Sequence, residues 1–135
     1  MTRRPAGLLD TSVFIARERA RPLGALPERV AVSVVTIGEL QLGVLSAPDD
    51  ERRARRADTL AVARGADPIP ISEAVMVAWA RLVADCRALG VQRTVKLTDA
   101  LIAATAVEHG LPVVTQDDDF DAIARAHSQL SVARV

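Results

Sequence analysis

A chain of 135 residues, half of them hydrophobic, is the size of one domain and long enough to bury an ordinary core. Seventeen basic and seventeen acidic residues cancel, with a pI near 6.7, which excludes a uniformly basic nucleic-acid binder and leaves room only for local patches. Three aromatic residues, Phe14, Trp79 and Phe120, are too few for a base-stacking platform.

"AGLLD" reads as a short buried strand ending at Asp10, and "TSVFIARE" as the helix that follows. "RARPLGALPE" is a connection, with two prolines and a glycine. "RVAVSVV" is β-branched and reads as a second buried strand. "TIGELQLGVLSA" then has helical spacing at Ile37, Leu40 and Val44. In "PDDERRARRADTLAVAR" acids precede arginines, as a helix dipole favours. A short "DPIPI" strand leads to "SEAVMVAWARLVADCRAL", where Val75, Trp79, Leu82, Cys86 and Leu89 form the apolar stripe of a helix. Cys86 is thus a core residue; alone, it cannot form an internal disulfide, in keeping with a reducing compartment. After the loop "GVQRT", "LTDALIAATAVEHG" is apolar on nearly every side and predicts a buried helix ending at Gly110. "LPVVT" reads as a strand, "DDDFDAIARAH" as a helix and "LSVARV" as a final strand. The alternation predicts a single-domain α/β three-layer sandwich over residues 1–135, with a mainly parallel sheet of about five strands. His109 is expected at a helix C-terminus and His127 at the surface. No apolar run approaches the ~20 residues needed to span a membrane, and "MTRRPAG" lacks the apolar stretch of a signal peptide, so a soluble cytoplasmic protein is expected.

Asp10, the helix carrying Glu39, and Asp117 each follow a separate apolar strand, which gathers them at one edge of a parallel sheet, where such folds bind ligands. Asp99 comes from a buried helix, and only the tertiary fold could bring it to the others. Each acid also has a local explanation. Asp10 could cap the next helix, Thr36 and Glu39 have capping-box spacing, Asp99 follows a capping candidate in Thr98, and Asp117 or Asp118 could cap the helix after them. Carboxylates that gather without matching arginines need a hard cation, and oxygen donors suit Mg²⁺ or Mn²⁺ rather than zinc.

The segments "LLDTSVFI", "TIGELQLGV" and "LTDALIAATAVEHGLPVVTQDDDF" resemble, in order and spacing, those of the PIN-domain ribonucleases, and the short chain is similar to the VapC-type toxins of bacterial toxin–antitoxin pairs. The resemblance implies Asp10, Glu39, Asp99 and Asp117 as catalytic, metal-holding acids. It implies support from Thr11 or Ser12, from Thr115 and from Asp119, with Asp118 turned to water. It also implies Mg²⁺- or Mn²⁺-dependent RNA hydrolysis, a homodimer and a small antitoxin partner. Arg17, Arg19, Arg21, Arg93 and Lys96 are the candidate RNA contacts, whereas Arg52, Arg53, Arg55 and Arg56 read as a solvated helix face beside Asp49, Asp50 and Glu51. Leu40, Val44 and Leu45 are expected to leave apolar surface for the antitoxin.

Three other readings stand beside the ribonuclease. A PIN domain could bind RNA or a partner without cutting. A metal-dependent phosphatase would want a second acid two residues after Asp10, where Ser12 stands. A receiver-like signalling domain would want a lysine after a late strand, whereas Lys96 precedes a helix.

Overall fold

The computed structural model describes residues 5–135, so the first four residues of the leader reading lie outside the described residues. Five strands alternate with helices: β1 (Ala6–Leu9), α1 (Thr11–Glu18), β2 (Arg29–Ser33), α2 (Val34–Leu45), α3 (Asp50–Arg64), β3 (Pro68–Ile69), α4 (Glu73–Leu89), α5 (Leu97–Glu108), β4 (Val113–Thr115), α6 (Asp121–Ala126) and β5 (Val132–Arg134). A single 3₁₀ turn over Gln92–Thr94 joins α4 to α5. No helix among the described residues is long and apolar enough to cross a membrane.

All strand pairs are parallel, in the order β3-β2-β1-β4-β5. Side chains alternate across a strand, so neighbouring residues feed opposite cores. Leu8 and Val113 pack with Leu82, Cys86, Ile102 and Phe120 on the α4, α5 and α6 side. Leu9 and Val114 pack with Val13, Phe14, Leu40 and Leu60 on the α1, α2 and α3 side. The result is the expected three layers. Gly7 is required by close approach, since a Cβ there would stand 2.6 Å from Val114 Cγ2.

Several local expectations are corrected. Val34 and Val35 belong to α2 rather than to β2, because Ser33 caps the helix by accepting the Val35 N–H at 3.0 Å. Thr36 is therefore inside the helix, and no capping box exists there. Helix α5 starts at Leu97 with Lys96 at its cap, so Thr98 is not the cap. Helix α6 begins only at Asp121, and neither Asp117 nor Asp118 caps it. Leu89 is 53% exposed and leaves the α4 stripe, whereas Val75, Leu82 and Cys86 are buried as expected. Leu40 is also in the core, and the exposed leucines of α2 are Leu42 and Leu45. His127 is not a surface residue: it is 5% exposed, and its Nδ1 lies 2.7 Å from Asp85 Oδ2 on α4. A carboxylate accepts only, so Nδ1 carries the hydrogen.

Candidate active site

The winding of the sheet reverses at β1: the chain runs outward to β2 and β3, then returns to lay β4 on the other side. Ligand crevices in such sheets open beyond the carboxyl ends of the strands at this reversal. Asp10 and Asp117 follow the two strands that flank it. Register brings them together, because Leu9 pairs with Val114 and the Asp10 N–H donates to the Val114 carbonyl at 2.9 Å.

Asp10 is both a helix cap and a site residue. Its backbone is extended, and its Oδ2 accepts the Ser12 N–H at 3.4 Å as the cap of α1. The same oxygen lies 3.1 Å from the Thr115 hydroxyl. Thr115 is fully buried at the end of β4, and its hydroxyl is also 3.2 Å from Asp117 Oδ1. One hydrogen therefore serves two carboxylates. Asp117 Oδ1 also accepts the Asp119 N–H at 3.1 Å, which holds residues 117–119 as a bend instead of a helical turn. Asp118 is exposed.

Of the hydroxyls in this network, Ser12 was anticipated as an alternative to Thr11, whereas the part of Thr36 was missed. Ser12 Oγ accepts the Gln116 N–H at 3.0 Å and lies 3.1 Å from Thr115 Oγ1, tying the start of α1 to the end of β4. Thr36, read as a cap partner, is buried with its Oγ1 3.0 Å from Thr11 Oγ1. Only the hydroxyl beside each acid signalled such support. Thr11 Oγ1 also stands 2.7 Å from Glu39 Oε1, and the carboxylate takes its hydrogen as the stronger acceptor. Both residues of the "Thr11 or Ser12" pair thus contact the site, Thr11 through Glu39 on α2 and Ser12 through Thr115 on β4.

Asp99 enters from the first turn of α5 and is 9% exposed. Burial, followed by the charges of Asp10, Asp119 and Glu39, pushes its carboxyl up from 3.8 to about 7, against a smaller opposing pull from Lys96. Burial also raises Asp10, helped by Asp117, although hydrogen bonds from Ser12, Thr115 and Thr11 offset part of it. The acids are thus close enough to feel one another. As they stand, however, no three acidic, histidine or cysteine side chains among the described residues converge closely enough to hold a metal ion. The donor set is oxygen only, with Lys96 as the one cation acting on Asp99, and this suits a hard divalent ion.

Of the proposed RNA contacts, Lys96 is beside the acids, and Arg19 lines a groove that also reaches Thr11 and Glu39. Arg17, Arg21 and Arg93 are exposed and make no hydrogen bond or ion pair with the acids.

The family described as PIN domain matches residues 7–126. Ribonuclease VapC8 of Mycobacterium tuberculosis is 74% identical over 100 residues, covering 74% of this chain and 89% of that protein. Ribonuclease VapC5 of the same organism is 45% identical over 125 residues, covering 91% of each. A crystal structure of VapBC-5, a member of the VapBC family of toxin–antitoxin systems from Mycobacterium tuberculosis, has a TM-score of 0.85 at 40% identity and covers 96% of this chain and 98% of that one. The chain belongs to the PIN-domain family, among the VapC-type ribonucleases.

Proposed function

We propose that this chain is a Mg²⁺- or Mn²⁺-dependent endoribonuclease and the toxin of a toxin–antitoxin pair. The observation that carries the reading is the gathering of acids at the reversal point of the sheet, where one Thr115 hydroxyl bridges Asp10 and Asp117 and the charges of Asp10, Asp119 and Glu39 bear on Asp99. Relatives named ribonuclease VapC support the activity, and the VapBC-5 toxin–antitoxin structure supports a protein partner.

Asp10, Glu39, Asp99 and Asp117 would hold the ion. Once bound, it would supply a Lewis acid for phosphate oxygens and lower the pKa of attacking water. The chain's own groups orient that chemistry. Thr115 fixes the carboxylates of Asp10 and Asp117 relative to one another, and Thr11 fixes Glu39. Asp119 adds negative charge beside Asp99 from the rim. Hydrolysis by water, with no part for the ribose 2′-hydroxyl, leaves 5′-phosphate and 3′-hydroxyl ends. Unstacked bases of a single-stranded loop are what such a site can read.

The antitoxin would dock on the outer face of α2, where Leu42 and Leu45 are 64% and 71% exposed one helical turn apart. A homodimer in the cytoplasm completes the proposal.

The test is cleavage of total RNA by the purified protein in Mg²⁺, in Mn²⁺ and in EDTA, with mapping of the new 5′ ends. Cleavage in either metal and none in EDTA is expected. Undiminished cutting in EDTA, or no cutting in any condition with RNA still bound, would replace the reading with a metal-free enzyme or a binding domain respectively.

A further inference from the structure

A channel leaves the carboxylate site between α1, α2 and α3. Its near end, about 220 Å³, is walled by Thr11, Ile15, Glu39 and Leu40. Its far end, about 270 Å³, is walled by Arg52 and Arg55. Glu18, Arg19 and Arg56 line both ends, so the two hollows adjoin.

Four arginines line the far end against one acid, Glu18, in a chain whose charges cancel overall. They come from α3 and from the C-cap of α1, which a merely solvated face of α3 does not require. Arg19 makes no ion pair among the described residues. Arg56 is anchored by donating to the Gly43 carbonyl at 2.7 Å, which leaves its remaining N–H groups free to donate elsewhere. Arg52 and Arg55 pair only with the cap and first turn of their own helix, with Asp49 at 3.8 Å and Glu51 at 3.1 Å. Such exposed pairs contribute little and exchange readily for a better acceptor. Guanidinium forks match phosphate oxygens. A row of them leading away from the acids matches a backbone that presents one charge after another, and one small anion would leave most of them unused.

We propose that this channel is the track for the phosphate backbone of single-stranded RNA on one side of the scissile bond, held by Arg19, Arg52, Arg55 and Arg56. The inference rests on the ribonuclease reading above.

Its test is fluorescence anisotropy with a short labelled single-stranded RNA of mixed sequence, titrated at several salt concentrations. Asp10→Asn protein, kept from cutting, is compared with the same protein carrying Arg52→Gln and Arg55→Gln. These two side chains are exposed, with no partner beyond α3 and its cap Asp49, so the fold is not at risk. The slope of log affinity against log salt should fall by about 1.4, two phosphate contacts at ~0.7 each, and affinity should fall roughly ten-fold. The same charge loss at Arg87→Gln and Arg125→Gln, on α4 and α6, should change the slope by less than half as much. RNA binding that is unchanged in the Arg52/Arg55 variant overturns the proposal alone, and is the outcome if the channel serves a protein partner instead. An equal effect from the α4 and α6 pair also overturns it. Failure of the Asp10→Asn protein itself to bind RNA overturns both this proposal and the ribonuclease reading.

Discussion

Thr11 Oγ1 lies 2.7 Å from Glu39 Oε1, linking the first turn of α1 to the second turn of α2 across 28 residues of chain. Glu39 has no other hydrogen-bond donor among the described residues. Thr11→Val keeps the shape and removes the donor. We expect a loss of about 1 kcal/mol in urea unfolding, and a higher Mg²⁺ concentration for half-maximal cleavage because Glu39 is no longer held. Unchanged Mg²⁺ dependence would mean that Thr11 serves the packing of α1 only.

Asp10→Asn and Asp99→Asn should each lower RNA cleavage more than ~100-fold, since removing outer partners of a metal site alone costs ~10–100-fold. Asn at position 10 can still accept the Ser12 N–H, so α1 keeps its cap and the circular dichroism spectrum should not change. Cleavage near the wild-type rate in either variant would remove that residue from the site.

In EDTA the gathered carboxylates should act against folding. Asp99 titrates at about 7 in the folded chain instead of 3.8, so between these values the folded state binds the extra proton. Stability then falls as pH rises from about 4 to about 7, and the penalty is complete above that, on the order of 2 kcal/mol for Asp99 once solvent screening is allowed for. Asp99→Asn should therefore melt higher than wild type at pH 8 in EDTA, and Asp117→Asn should shift the same way by relieving Asp10. Mg²⁺ at matched ionic strength should raise the wild-type melting temperature and move the variants far less. Superimposable melting curves for all three proteins would mean that the acids are solvated caps.

The outer face of α2 offers a separable readout. Leu42→Asp with Leu45→Asp alters two exposed side chains, so the melting temperature should stay within a few degrees of wild type. Co-purification with the antitoxin should be lost and cleavage retained. A complex of full yield would place the antitoxin elsewhere.

Where the sequence was readable, a local signal and the tertiary outcome agreed. The boundary between β1 and α1 was legible because Asp10 both stops an apolar run and caps the next helix. Val34 and Val35 misled because β-branched residues read as strand, while Ser33, one position earlier, decides for helix. Asp117, Asp118 and Asp119 imitate a helix start, yet the Asp117 carboxylate takes the Asp119 N–H and keeps the bend open. His127 carried no local clue, since its partner Asp85 is 42 residues away on another helix. For the site, strand ends predicted the meeting of Asp10 and Asp117, whereas the approach of Asp99 is set by the packing of α5 across the sheet. The hydroxyls of Ser12 and Thr36 acquire partners only in three dimensions.

The sheet order has a consequence for how such a chain can drift. None of the four acids sits on or directly follows β3 or β5, the two outermost strands. Neutral substitutions should accumulate on those rims, where Val132 is half-buried and Ala133 and Arg134 are exposed, and should thin out towards β1 and β4. At Gly7 even one added methyl group meets Val114. A library of single substitutions would then show tolerance as a gradient across the sheet, steepest between the rim and its neighbour, with the chemistry shielded by the strands least free to change.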